Sequence, residues 1–192
     1  MRFDIKARLV DDLRLVAQSI LKGVQAAGAD GRLIQVPETL SKEVLAKMHA
    51  PERHRDIPTI SLGEGGENTI SLEDALVQCD GILLGMPTRF GGMPAQVKAV
   101  WDATGGLWMK GALVGKPIGV FFSTSTQGGG CVARFSANRI RVVSPSRQET
   151  TAFTSLTNFV HHGMLFVSPA LFNLVRDSAF ERRRYRRATQ IR

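Results

Sequence analysis

Two apolar strands, each followed directly by a polar, glycine-containing loop, most constrain how this chain can fold. The first strand is Gly81–Met86, which leads into the loop Pro87–Gly91. The second is Lys116–Phe122, which leads into Ser123–Gly130. Buried apolar strands are typical of parallel sheets, and such sheets bind ligands outside the carboxyl ends of their strands. The two loops therefore predict one site shared between adjacent strands.

Helical and strand patterns alternate along the rest of the chain. Apolar spacing predicts helices over residues 12–27, 94–103 and 150–161, and a short one from Ser41 to Met48 with Ser41 as its cap. Strands are predicted at residues 33–36, 81–86, 116–122 and 163–167, whereas Ala50–Gly66 is expected to be a loop. This alternation predicts an α/β fold in which helices cover both faces of a mostly parallel sheet.

Length and composition indicate an ordinary globular protein. The chain has 192 residues, of which 43% are hydrophobic and 22% charged, as expected for one domain with a sizeable core. No apolar run approaches the length of a membrane span, and the N-terminus has no apolar signal core. Two cysteines, Cys79 and Cys131, form neither a disulfide framework nor a metal cluster. We therefore expect a cytoplasmic protein with no metal and no membrane partner.

The net charge of +8 is concentrated in two segments. Residues 131–147 hold four arginines and no acid, and residues 168–192 hold seven arginines against Asp177 and Glu181. The remainder is close to neutral, which disfavours a shaped nucleic-acid surface and indicates solvated appendages. Both segments have high charge and little patterned apolar surface, so we expect them to be poorly ordered.

The residues of the first loop suit a planar, conjugated, anionic ligand. Thr88 offers a hydroxyl, Arg89 a fixed cation and Phe90 an aromatic ring. The alternative interpretation is an ordinary surface turn. The hydroxyls and amides of Ser123–Gly130 would hydrogen-bond such a ligand, although a merely flexible Ser/Gly loop is also typical of this composition.

Five segments in order resemble WrbA-type NAD(P)H:quinone oxidoreductases, a flavodoxin-like family. They are residues 36–51, Pro87–Gly91, Asp102–Trp108, Ser123–Gly130 and His161–Met164, and the resemblance extends over about 14–130 and 148–167. It implies a flavodoxin-like fold and FMN as the cofactor. The implied activity is two-electron transfer from NAD(P)H to quinones in a homo-oligomer, usually a tetramer.

The resemblance also assigns roles to individual residues. His161 would contact the flavin and help to move a proton to the reduced quinone, and Trp108 would flank the substrate. As alternatives, Trp108 is a buried aromatic anchor, and His161 and His162 cap a strand or bond to backbone. The implied cofactor-binding residues are Pro87, Thr88, Arg89, Phe90, Gly91, Ser123, Thr124, Ser125, Thr126, Gln127, Gly128 and His161.

The chain departs from the family pattern in three places. Family members start with an apolar strand and a loop that holds the FMN phosphate at a helix N-terminus. Here Arg8–Asp12 has no glycine and ends in two carboxylates, and the first strand is expected to be missing or replaced. Residues 131–147 form an atypical insert in a flavodoxin-like domain at 1–167, and 168–192 form a basic tail. These departures favour, as an alternative, a non-catalytic flavodoxin-fold relic with impaired FMN binding.

Overall fold

The computed structural model describes residues 2–7, 11–50, 53–63, 65–123 and 147–167. Its strands are β1 (Arg2–Ala7), β2 (Asp30–Gln35), β3 (Thr59–Ile60), β4 (Thr69–Ile70), β5 (Gly81–Pro87), β6 (Pro117–Ser123) and β7 (Leu165–Phe166). They form one sheet in the order β4-β3-β2-β1-β5-β6-β7, and every pairing is parallel. The predicted parallel sheet is therefore confirmed.

Helices connect the strands and cover both faces of the sheet. They are α1 (Asp11–Ala26), α2 (Lys42–Lys47), α3 (Leu72–Leu76), α4 (Ala95–Asp102), α5 (Gly105–Met109) and α6 (Arg147–His161). One face packs against α1, through Ala17 and Leu83. The larger apolar cluster on the other face includes residues of α3, α4, α5 and α6. A parallel sheet needs this cover because its strands bury both faces.

The side-chain alternation of β5 divides it between the two layers. Ile82, Leu84 and Met86 belong to the larger cluster, whereas Leu83 packs in the smaller cluster beside α1. All seven residues of β5 are buried. A continuous apolar run is what a strand buried on both sides requires, which explains why this strand was predictable from sequence.

Local sequence sets the ends of several helices. Ser41 caps α2 by accepting a hydrogen bond from the Val44 amide at 3.4 Å, as predicted. Gly28, the predicted stop of α1, has φ +76°, a conformation that glycine adopts without steric cost. The predicted helices at 12–27, 94–103 and 150–161 are confirmed with small shifts in their ends.

The first strand was predicted to be missing or replaced, and the first of these two alternatives was wrong. Residues Arg2–Ala7 form β1, which lies in the middle of the sheet and pairs with both β2 and β5. The segment alternates polar and apolar residues, whereas a central parallel strand is expected to be continuously apolar. Pairing on both edges forms the strand despite this pattern, so the sheet has no central gap.

Three shorter elements, β3, β4 and α5, were also not predicted. Ala50–Gly66 was expected to be a loop, but Thr59–Ile60 pairs with the end of β2 and with Thr69–Ile70. Helix α5 starts with Gly105 and Gly106, which are poor helix formers, so packing of the buried Leu107 determines it. The predictions of poor order concern 131–147 and 168–192, which lie outside the described residues except for Arg147, the first residue of α6. Among the described residues, no helix is long and apolar enough to cross a membrane.

Candidate functional site

The ends of β5 and β6 form one continuous edge. Pro87 and Ser123 are partners in the parallel register, and the Thr88 amide donates to the Ser123 carbonyl at 3.3 Å. In the sheet, β2 lies on one side of β1, whereas β5 and β6 lie on its other side, so the strand order reverses at β1. Open α/β sheets bind ligands outside the carboxyl ends of their strands at such a reversal of strand order. The structure therefore brings together the first residues of both predicted loops at the expected edge.

A tight two-residue turn follows β5. The Arg89 amide donates to the Gly92 carbonyl at 3.0 Å, and the Gly92 amide donates to the Arg89 carbonyl at 2.9 Å. Between them, Phe90 has φ +52° and Gly91 has φ +79°. Two consecutive positive φ angles define a type I′ turn, which glycine tolerates and phenylalanine adopts only at an energetic cost.

The turn presents the groups that the sequence analysis singled out. The Phe90 side chain is fully exposed, at 100% relative accessibility. Arg89 Nη1 donates to the Thr88 carbonyl at 3.1 Å, which ties the cation to the turn. Within the part of the chain that the structure describes, the amides of Phe90 and Gly91 make no hydrogen bond. An exposed ring, a cation and two amide donors thus lie within three residues.

Helix α6 contacts this turn, although the two are 63 residues apart in sequence. The hydroxyls of Thr88 and Thr151 lie 2.6 Å apart, and Thr154 Oγ1 donates to the Gly91 carbonyl at 3.0 Å. Sequence reasoning did not identify Thr151 and Thr154. The only available sign was their spacing of three on a helix, which puts both on the same side.

A second cluster, which we call the α5–α6 cluster, comprises Thr104, Trp108, His161 and His162. The Trp108 indole donates to the His161 carbonyl at 2.8 Å, and His162 Nε2 lies 2.8 Å from Thr104 Oγ1. His161 is exposed and Trp108 is 56% exposed, so Trp108 is not a buried anchor. The sequence-predicted substrate residue and the sequence-predicted catalytic residue are therefore neighbours.

This cluster and the turn lie at opposite ends of the sheet. Thr151 and His161 are ten residues apart on α6, which corresponds to about 15 Å along the helix axis. Beyond His161, the Gly163 carbonyl accepts from the Gly115 amide at 2.8 Å, just before β6 begins. Thr88 instead lies where β6 ends. The two halves of the predicted site do not meet within one chain.

Among the described residues, His162 is a titratable group whose pKa is shifted by its surroundings. Desolvation by burial, and secondarily the neighbouring His161, lower the pKa of His162 below its ordinary value. Its ring lies 5.7 Å from that of Trp101, and its Nδ1 atom has no hydrogen-bond partner among the described residues. The neutral imidazole is favoured because protonation would place a charge in a partly desolvated position beside His161.

The residues at the turn fit the flavin ring of FMN better than they fit the FMN phosphate. A planar conjugated ring matches the exposed Phe90, and its carbonyl groups match the amides of Phe90 and Gly91. The phosphate would need amides at the N-terminus of α1, which begins at Asp11. Residues 8–10, where a glycine turn was sought, lie outside the described residues, as do the predicted ligands Thr124, Ser125, Thr126, Gln127 and Gly128. The glycine-poor phosphate loop therefore stays a sequence prediction.

The parallel sheet, with a polar turn at the carboxyl end of β5, places the protein in the class of flavodoxin-like α/β proteins. The chain belongs to the NADPH-dependent FMN reductase family, whose model matches residues 13–141. The family resemblance inferred from sequence is confirmed, and the matched region starts beyond the atypical segment Arg8–Asp12.

Named relatives agree with this family. The chain is 48% identical over 153 residues to quinone-oxidoreductase QR2 of Triphysaria versicolor, covering 79% of this chain and 60% of the relative. It is 45% identical over 152 residues to NAD(P)H quinone oxidoreductase PST3 of Candida albicans, covering 79% and 62%. The chain thus spans about three fifths of the length of these relatives.

Solved structures support the fold alone. A WrbA-like flavodoxin from Agrobacterium tumefaciens superimposes with a TM-score of 0.50 at 19% identity, covering 86% of this chain and 75% of the other. The flavoenzyme FerB, an NAD(P)H:(acceptor) oxidoreductase from Paracoccus denitrificans, gives 0.53 at 14% identity, covering 88% and 75%. Both confirm the flavodoxin-like fold class.

Proposed function

We propose that this protein is an FMN-dependent oxidoreductase that transfers two electrons from NAD(P)H to quinones, in a cytoplasmic setting. Its family and the names of its relatives support the activity. The observation that carries the proposal is the Thr88–Gly92 turn beside Ser123, at the sheet edge where this fold class binds ligands. The proposed flavodoxin-like domain is 1–167, with 131–147 as an insert and 168–192 as a basic tail.

The protein's own residues would bind and orient rather than react. The amides of Phe90 and Gly91 and the side chains of Thr88 and Arg89 would hold the ring, and Phe90 would cover it. The resemblance also gives Thr124–Gly128 as flavin ligands. When bound there, FMN would supply the two-electron redox chemistry between NAD(P)H and the quinone.

We further propose that a second copy of the chain completes the site. The resemblance assigns both His161 and the Thr88–Gly91 segment to one flavin, yet about 15 Å of α6 separates them within one chain. Trp108 and His161 of a partner copy would then cover the flavin that the turn holds. Exposed apolar side chains near this cluster support such contact, namely Met109, Val114, Val160 and Leu165. In that position His161 would move a proton to the reduced quinone.

The competing candidate is a flavodoxin-fold relic with impaired FMN binding. It is favoured by the segment Arg8–Asp12, which lacks glycine, and by Asp11 at the first position of α1. A carboxylate there would repel the phosphate that the helix N-terminus normally attracts.

Titration of the protein with FMN and with riboflavin, followed by fluorescence quenching and the visible spectrum, separates the candidates. Losing two or three charge-assisted phosphate bonds costs about 3–9 kcal/mol, or roughly two to six orders of magnitude in affinity. We therefore expect FMN to bind little better than riboflavin, with both retaining ring contacts. Preference for FMN by about a hundredfold or more would show that another group grips the phosphate. A protein that binds neither flavin would exclude the oxidoreductase and favour the relic.

A further inference from the structure

The start of α6 packs directly beneath the Thr88–Gly92 turn. Thr151 is fully buried, and its hydroxyl meets that of Thr88 at 2.6 Å. A Cβ added to Gly91 would lie 3.0 Å from Thr150 Cγ2, so helix and turn are in close contact. The pair is a side-chain hydrogen bond between helix and turn, and loss of either hydroxyl would remove it.

Thr154 forms the second contact between the helix and the turn. Its hydroxyl lies 3.0 Å from the Gly91 carbonyl, and also within reach of the Thr150 and Thr151 carbonyls of its own helix. The helical carbonyls have backbone amides as donors. The Gly91 carbonyl has no other donor among the described residues. The Thr154 hydroxyl has one proton to donate. If it donates to the Gly91 carbonyl, all three carbonyls within its reach have a hydrogen-bond donor.

The turn needs this support because its conformation is unfavourable by itself. Phe90, a non-glycine residue, is held at φ +52°, and left-handed conformations of such residues persist only when the surroundings determine them. The two cross-turn hydrogen bonds between Arg89 and Gly92 close the loop but do not fix it to the rest of the protein. Among the residues that the structure describes, the contacts to Thr151 and Thr154 do so, together with the hydrogen bond from the Thr88 amide to the Ser123 carbonyl.

We propose that Thr151 and Thr154 are positioning residues that hold the Thr88–Gly92 turn in the conformation required to bind a planar cofactor ring. The inference rests on the proposed function. Neither threonine needs to touch the ring, because each acts through the turn. The two threonines contact the segment that binds the ring, which FMN and riboflavin share. Loss of either hydroxyl therefore weakens the binding of FMN and of riboflavin by the same factor.

The variant Thr154→Val tests the inference without disturbing the core, because Thr154 is exposed and valine keeps its shape. Thr154→Ser keeps the hydroxyl and serves as the rescue. Thr157→Val is the matched control, since the Thr157 hydroxyl donates to the Thr154 carbonyl at 2.9 Å within α6. Thr151→Val provides a second, buried variant.

Two readouts are measured on each protein. Hydrogen exchange of the Arg89 and Gly92 amides, recorded without flavin, is expected to accelerate about five- to tenfold in Thr154→Val and to stay unchanged in Thr157→Val. Dissociation constants for FMN and riboflavin are expected to rise by about the same factor in Thr154→Val, with return to within about twofold in Thr154→Ser.

Each contrary outcome has a distinct meaning. Unchanged exchange in Thr154→Val, with normal flavin binding by the unsubstituted protein, overturns this inference alone. Faster exchange with unchanged flavin affinity also overturns it, because the turn would then be held without positioning the ring. If the unsubstituted protein binds neither flavin, the proposed function fails and this inference fails with it.

Discussion

Gly91 is a residue of the candidate site at which we expect substitution to be poorly tolerated. Its φ of +79° disfavours any side chain, and an added Cβ would lie 3.0 Å from Thr150 Cγ2. We expect Gly91→Ala to lower the free energy of unfolding by about 1–2 kcal/mol and to weaken flavin binding. Denaturant unfolding followed by circular dichroism measures the first effect, and flavin fluorescence the second.

Gly23 offers a control with the opposite sign. It lies inside α1, and an added Cβ would meet nothing within 4 Å. Gly23→Ala is expected to raise the free energy of unfolding by about 0.5–1 kcal/mol, because alanine is the better helix former. Equal stability of Gly91→Ala and the unsubstituted protein would contradict the described turn.

His162 is expected to make the protein sensitive to mild acid. Its pKa is lowered in the folded state, so the unfolded chain binds the proton more readily. The free energy of unfolding therefore decreases as pH falls from about 6.5, the ordinary histidine pKa, toward the lower pKa of the folded protein. His162→Asn should remove this component. Urea unfolding of both proteins between pH 5 and 8 checks it, and a stability difference that does not vary with pH would contradict it.

At the residue level, the sequence predicted the turn but not its support. Thr88, Arg89 and Phe90 followed an apolar strand, so their place at a strand end was predictable. Thr151 is 63 residues away from its partner Thr88, and no local pattern indicates such a pairing. The separation of His161 from the turn was likewise missed: the predicted helix at 150–161 placed His161 at its C-terminal end, but only the structure shows that the other end contacts the turn.

Strands β5 and β6 pack closely against each other at Gly85. This glycine is the register partner of Phe121, and a Cβ added there would overlap the Phe121 ring. We expect Gly85→Ala to cost about 1–3 kcal/mol of unfolding free energy, as overpacking does. In a protein that already carries Phe121→Leu, Gly85→Ala should cost less. A double-mutant cycle of denaturant unfolding measures this difference. Additive effects of the two substitutions would contradict this close contact.

Among the elements, those with strong local patterns were predictable and those formed by tertiary pairing were not. Strand β5 is a continuous apolar run, and α1 has regular helical spacing, so both were identified from sequence. Strand β1 alternates polar and apolar residues, and the two-residue β3 is too short for any periodicity. Their formation depends on hydrogen bonds to neighbouring strands that a local pattern does not contain.

For the whole molecule, the proposed two-copy site predicts complementation between defective chains. One chain carries Gly91→Val, and the other carries both Trp108→Ala and His161→Ala. If turn and cluster come from different copies, random co-assembly restores about a quarter of the sites, although each variant alone is inactive. Co-expression with two affinity tags, followed by a quinone reduction assay, measures this. Absence of activity in doubly tagged oligomers would contradict the shared site.

The most direct measurement of the central claim is an anaerobic absorbance experiment on the protein saturated with FMN. We expect NADPH or NADH to bleach the visible absorbance band of the flavin, and subsequent addition of a quinone to restore it with one quinone consumed per flavin. The Gly91→Ala protein should need a higher FMN concentration to give the same change. A flavin band that NAD(P)H leaves unchanged, or that stays bleached after quinone is added, would contradict the proposed transfer of two electrons.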